Sequence, residues 1–198
     1  MINGYLDRMR SELRKYAVVP DTELEKILPM LKLMEIKRNQ YFINIDDLPD
    51  KMAFVISGIF RVFCISKSGE EKILVFRDEN HVLSGYDPNF PEQKALYAIQ
   101  ALENSKLVYI TIQEHKKLLQ GHPCWTELRA KYFHMLYMEK VEREREFLSE
   151  DASTRFLNLT KTEPGFVKRI PQYYIASYLG VTPEALSRIR KSLKFVPS

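Results

Sequence analysis

The sequence predicts an α+β chain in which a block of short strands is followed by a long helix and then by a pair of short C-terminal helices. Three observations carry this reading. Residues 53–56, 59–65, 73–76, 97–101 and 107–112 are short runs rich in β-branched and aromatic side chains. They are punctuated by Ser57-Gly58, Ser68-Gly69, Asp78-Glu79-Asn80 and Glu103-Asn104. Residues 125–149 contain neither glycine nor proline, and residues 172–189, QYYIASYLGVTPEALSRI, have the spacing of a helix-turn-helix.

Taken in order, Val19-Pro20-Asp21-Thr22 introduces a short helix. Thr22 and Glu25 have capping-box spacing, and Leu24, Ile27 and Leu28 supply the apolar face. Short strands at the spacing seen between residues 33 and 112 fit a sandwich, barrel or roll rather than a parallel sheet with crossover helices. Residues 114–149 are helical and broken at Gly121-His122-Pro123. The second piece is about 37 Å long at 1.5 Å per residue, more than a small domain requires. Along it Trp125, Leu128, Tyr132 and Met135 recur at heptad-like spacing, extended by Leu136, Val141 and Leu148. This set is expected to pair with a second copy at a dimer seam; packing on its own β-domain is the alternative. Glu139, four residues before Arg143, reads as an exposed helix pair. Asp151-Ala152-Ser153 reads as a hinge, residues 154–160 as a helix anchored by Phe156, Leu157 and Leu159, and Glu163-Pro164-Gly165 as a turn.

Each position of the C-terminal motif has a physical reason. Ala176 must be small where two helices cross. Gly180 falls where the chain leaves the first helix in a left-handed conformation. Thr182 then caps the second helix, with Pro183 at its first position. At about 100° per residue, Glu184, Ser187, Arg188 and Lys191 share one side of that helix, opposite Leu186, Ile189 and Leu193. Such a face suits a major groove: Arg188 can fork onto guanine and Glu184 can accept from a cytosine amino group. Ser187 is less particular, and Arg190 and Lys191 are expected on phosphate. Gln172, Tyr173 and Thr182 complete the DNA-binding set.

Charge supports this. From Asp151 onward there are eight Lys/Arg against three Asp/Glu, whereas the overall balance is only +4, so the basic excess lies with the motif. The 198 residues, 45% hydrophobic, can bury one good core and a small second one. No apolar run approaches the roughly 20 residues that span a bilayer, and MINGYLDRMRSELRKY lacks the apolar core of a signal peptide; a cytoplasmic location and no membrane partner are expected. Cys64 and Cys124 stand alone. His81, His115, His122 and His134 show no metal spacing, with His122 and Cys124 the only near pair. No metal, no cofactor and no catalytic residues are expected.

This order of elements resembles the Crp/Fnr family of bacterial transcription regulators, and the segment IPQYYIASYLGVTPEALSRIRKSL resembles the version common in Bacteroidetes members. FVISGIFRVF is similar to the family's glycine-turn hairpin, and residues 98–102 to the strand closing its effector site. The resemblance implies an N-terminal double-stranded β-roll of the cyclic nucleotide-binding type over residues 1–121. It further implies a long dimerisation helix over 122–150 and a winged-helix-like helix-turn-helix domain over 151–198. The wing is expected to be short or absent, since few residues follow Lys194. It also implies that Glu184, Ser187 and Arg188 read the operator; a further arginine of catabolite-activator members is Pro183 here.

Cyclic-nucleotide-binding members carry Gly-Glu near the start of a phosphate cassette and Arg-Ser/Thr-Ala near its end. The corresponding SGYDPNFPEQKALYAIQAL has neither, Lys94 near the arginine position cannot form a bidentate fork, and Pro88 and Pro91 oppose a cassette helix. Tyr86, Phe90, Lys94 and Tyr97 are the candidates for a different effector pocket. The expected function is a homodimeric regulator that binds double-stranded DNA at a pseudo-palindromic operator, with RNA polymerase a further partner and the effector unassigned. The alternatives are a cyclic-nucleotide-responsive regulator with a divergent cassette, and an interaction module that has lost DNA binding.

Overall fold

The computed structural model describes residues 2–86, 90 and 92–193. Their strands form two antiparallel sheets of four. In the first, β1 (Lys32–Ile36), β8 (Ser105–Thr111), β3 (Lys51–Ser57) and β6 (Val82–Leu83) lie side by side in that order. In the second the order is β2 (Tyr41–Ile43), β7 (Ala98–Ala101), β4 (Phe60–Ile65) and β5 (Glu71–Arg77). Together they make the expected roll. The five strand-like runs correspond to β3, β4, β5, β7 and β8. β2 and β6 are too short to display a two-residue period, and β1 buries only Ile36.

The glycine-turn hairpin is not what forms at residues 54–63. β3 and β4 belong to different sheets, and the chain crosses between them at Gly58, whose φ is +113°. A Cβ there would lie 2.5 Å from the Cβ of Ser105, so only glycine lets the crossing run so close to β8.

Alternate side chains of the inner strands are buried on both faces. Val55, Leu107, Phe60, Val62 and Ile99 fill the space between the sheets. Phe54, Ile56, Val108 and Ile110, on the outer side of the first sheet, are covered by the N-terminal helices and the start of the long helix. Ile73, Phe76 and Ala98, outside the second sheet, are covered by the C-terminal helices. Double coverage explains why these antiparallel strands read as near-continuous apolar runs. It also corrects the expectation of a small separate core: Phe156, Ile175, Leu179 and Leu186 share one cluster with Ile73 and Phe76.

Two helices precede the roll. α1 (Ile2–Arg14) was not anticipated, although Tyr5, Met9 and Leu13 recur every four residues and join the cluster outside the first sheet. α2 (Asp21–Ile27) starts one residue before Thr22, and no side chain caps it, so the Thr22–Glu25 box does not form. Leu28 lies beyond this helix and is exposed. A capping box does form at α3 (Ile112–Leu119), where Thr111 and Glu114 exchange both hydrogen bonds.

α4 (Pro123–Ser149) is the long helix, and α5 (Ala152–Thr162) follows after two extended residues, Glu150 and the N-cap Asp151. The residues read as a hinge are therefore a helix start, in which the Asp151 carboxylate accepts from the Thr154 amide at 2.8 Å. Glu163-Pro164-Gly165 opens a further helix, α6 (Pro164–Arg169), rather than a plain turn.

Candidate nucleic-acid interface

The C-terminal motif forms as its residue types require. α7 (Gln172–Leu179) ends at Gly180, with φ 72° and ψ 29°. The amides of Gly180 and Val181 turn back to the carbonyls of Ser177 and Ala176 at 3.1 and 3.0 Å, the paired bonds of a left-handed helix end. The Thr182 hydroxyl accepts from the Ala185 amide at 3.2 Å and caps α8 (Pro183–Ser192), with Pro183 at its first position. Ile175, Ala176, Leu179 and Leu186 are buried where the two helices cross.

The outward side of α8 carries Glu184, Ser187, Arg188 and Lys191, all exposed. The side chains of Ser187, Arg188 and Lys191 make no hydrogen bond or ion pair with other described residues. Hydrogen bonds from its own amide and from the Thr182 hydroxyl, with Arg188 nearby, hold the Glu184 carboxyl below the usual carboxylate range. The face thus presents one anchored acceptor and two cations. Arg190, expected on phosphate, lies within about 40° of Leu186 around the helix and is half-buried. On α7, Tyr173 is exposed and its ring lies tilted against that of Tyr174, with centroids 4.0 Å apart, while Gln172 is half-buried.

The four effector-pocket candidates differ in exposure. Tyr86 is buried beneath Lys116 of α3, whose Nζ lies 5.6 Å from the ring centroid. Tyr97 packs on the roll interior and donates its hydroxyl to the Ser84 carbonyl at 2.9 Å. Phe90 and Lys94 face solvent. Pro88, Pro91 and Lys194, and with it any wing, lie outside the described residues. His122 and Cys124 are explained by helix capping, since His122 Nδ1 accepts from the Cys124 amide at 3.1 Å. No group of metal-ligating side chains occurs among the described residues.

The apolar set expected to pair along α4 is largely placed within the subunit. Trp125 and Leu128 pack against α1, α2 and the first sheet. Trp125 Nε1 donates to Glu23 at 2.9 Å, and the Tyr132 hydroxyl accepts from the Val82 amide at 3.3 Å. These side chains are therefore used within the subunit, and Met135 and Leu136 are half-buried. The outward apolar row is instead Phe133, Tyr137 and Val141, spaced by four, with Met138 and Leu148 beside it. The Glu139–Arg143 pair does not form either: Glu139 meets Arg77 of β5 at 2.6 Å.

Arg143 turns the other way, donating to the Tyr178 carbonyl at 2.7 Å and lying 3.8 Å from the Tyr178 ring centroid. Arg155 of α5 donates to the Leu179 carbonyl at 3.0 Å. Two arginines from neighbouring helices thus cover the last carbonyls of α7, where cations are favourable. Phe147 of α4 lies beneath Gly180. Arg169 forks onto Glu79 at 2.8 and 2.9 Å and reaches Glu103 at 2.6 Å, joining α6 to the roll. These partners lie 24 to 90 residues apart, so no local periodicity announces them.

Residues 33–122 match the family model of the cyclic nucleotide-binding domain. No curated protein matches the chain. Among solved structures, FixK2 from Bradyrhizobium japonicum superposes with a TM-score of 0.69 at 16% identity, over 83% of this chain and 84% of that one. A putative transcriptional regulator of the Crp/Fnr family from Eubacterium rectale gives 0.69 at 14% identity, over 89% and 84%. The catabolite activator protein of Thermus thermophilus gives 0.55 at 18% identity, over 89% and 84%. Roll, long helix and C-terminal helix-turn-helix together have the fold of the Crp/Fnr-type transcription regulators, built on a cyclic nucleotide-binding domain.

Proposed function

We propose that this chain is a homodimeric, sequence-specific DNA-binding transcription regulator. The observation that carries the reading is the exposed side of α8, where the Arg188 and Lys191 side chains make no hydrogen bond or ion pair among the described residues and lie beside Glu184 and Ser187. A helix anchored on one side and offering forked and point-like donors on the other suits base edges and phosphates of a major groove. The row Phe133, Tyr137 and Val141 on α4 supports a paired helix, because stacked apolar side chains left in water favour association with a second copy. Two copies would present their α8 helices about 34 Å apart to successive major grooves of a pseudo-palindromic operator. In this division residues 1–121 sense, 122–150 dimerise and 151–198 bind DNA.

The cassette stretch argues against cyclic nucleotides as the signal. It lacks the Gly-Glu and Arg that would hold ribose and phosphate, and Lys94 is exposed. Calorimetry with cyclic AMP and cyclic GMP is expected to give no heat, and micromolar binding would reverse that statement. Selection of bound DNA from a random duplex pool tests the function itself. Enrichment of two symmetric half-sites with centres about one helical turn apart is expected; no enrichment, or a single unpaired half-site, would overturn the proposal.

A further inference from the structure

A charged residue is buried in the outer face of the second sheet, exactly where α7 docks on it. Arg61 of β4 is 3% exposed. Its Nε donates to Gln100 Oε1 at 2.7 Å, and its terminal nitrogens fork onto the Glu71 carboxylate, one of them at 3.1 Å. The guanidinium plane lies between two rings, 4.0 Å from the centroid of Phe63 on its own strand and 4.3 Å from that of Tyr174 on α7. Gln100 is itself held, donating from Nε2 to the Asn39 carbonyl at 2.9 Å.

An apolar side chain would fill this position without the desolvation cost of a buried charge. The guanidinium is accounted for by what it joins. Gln100 lies on β7, three residues after Tyr97 and near the end of the cassette stretch. Tyr174 shares one side of α7 with Ser177 and Tyr178. Ser177 Oγ accepts the Ile73 amide of the edge strand β5 at 3.2 Å, and the Tyr178 ring lies 5.4 Å from that of Phe76. Tyr173, next to Tyr174, stays exposed. A planar fork held by Gln100 and Glu71 and faced by Tyr174 fixes distance and angle together, which a flexible ammonium would not.

We propose that Arg61 is a positioning residue that sets the orientation of the helix-turn-helix relative to β7, so that a displacement of the strand behind the cassette moves α7 and with it α8. The inference rests on the DNA-binding reading above. The two copies of α8 must match two half-sites at once, and avidity of that kind is lost when the joint loosens even though each reading face is intact.

The test uses the full chain with Tyr174→Leu, which removes the ring, Arg61→Met, which keeps the stem but not the fork, and Tyr174→Phe, which keeps the stacked ring. On an operator selected by the unaltered protein, Tyr174→Leu and Arg61→Met are expected to lose about tenfold in affinity or more, and on an isolated half-site less than about twofold. Tyr174→Phe should bind both like the unaltered protein. Equal losses on operator and half-site, or none on either, would overturn the proposal. Hydrogen exchange at the Ile73 amide and along α7 reads the joint without DNA. Faster exchange in Tyr174→Leu supports it, and unchanged exchange refutes it even if the unaltered protein selects no duplex, a result that would separately defeat the DNA-binding reading.

Discussion

Replacing Gly180 by alanine probes the junction between the helix-turn-helix and the long helix. Two costs follow from the geometry. Gly180 has φ 72°, and an L side chain in that left-handed region costs about 1–2 kcal/mol. The added Cβ would also stand 2.8 Å from Cε1 and 3.4 Å from Cζ of Phe147. That ring lies 4.9 Å from the Arg143 guanidinium and 4.4 Å from that of Arg155, which themselves hold the end of α7, so it yields only by disturbing them. Displacing it adds about 1 kcal/mol, the scale of an off-rotamer side chain. Gly180→Ala should therefore cost about 2–3 kcal/mol in the natural background, but only the backbone share of about 1–2 kcal/mol when Phe147 is already alanine. The assay is urea unfolding of all four proteins at one fixed concentration, with the slope checked for constancy. A coupling of about 1 kcal/mol exceeds the few tenths by which independent sites deviate from additivity. Equal costs in the two backgrounds would show that Gly180 does not lie on Phe147, and a neutral Gly180→Ala would refute the left-handed helix end as well.

Arg188→Ala should weaken cognate DNA binding by about 1–3 kcal/mol and relax preference at one base position, whereas Lys191→Ala should weaken all sequences alike and reduce the salt slope by about one unit. Titrations on variant operators at several salt concentrations separate the two. Tyr137→Glu together with Val141→Glu should turn a dimer into a monomer in sedimentation, while Trp125→Phe should leave association unchanged. Trp125→Phe should instead lower stability, since the Glu23 carboxylate loses its indole donor and keeps only Lys26. Burial, with Arg129 nearby, lowers His115 to about 4 from its ordinary 6.5. A group depressed on folding takes up its proton more readily when unfolded. Its contribution is therefore complete above pH 6.5 and lost as pH falls toward 4, and His115→Gln should flatten the stability profile in that window.

The sequence alone determined the elements whose logic is local. Gly180, Thr182 and Pro183 specify a turn through dihedral preference and a missing amide, and Ile175, Ala176, Leu179 and Leu186 specify a crossing through size, so the motif was readable residue by residue. The inner strands were readable because burial on both faces leaves unbroken apolar runs, and the break at Gly121-His122-Pro123 because it needs no distant partner. Tertiary structure decided which side of a patterned helix faces inward. Trp125, Leu128 and Tyr132 and the row Phe133, Tyr137 and Val141 are both apolar at helical spacing, and only the presence of α1, α2 and β6 beneath the first set leaves the second outside. The same holds for the charges. Arg143 had Glu139 at the favoured spacing, yet the exposed carbonyls of α7 offered a partly buried site where a hydrogen bond is worth more than a solvated ion pair. Arg61 is a lone charge in the apolar run 59–65, and what covers it is Tyr174, more than a hundred residues away. Periodicity records the environment along one element, and it holds no information about which distant element supplies that environment.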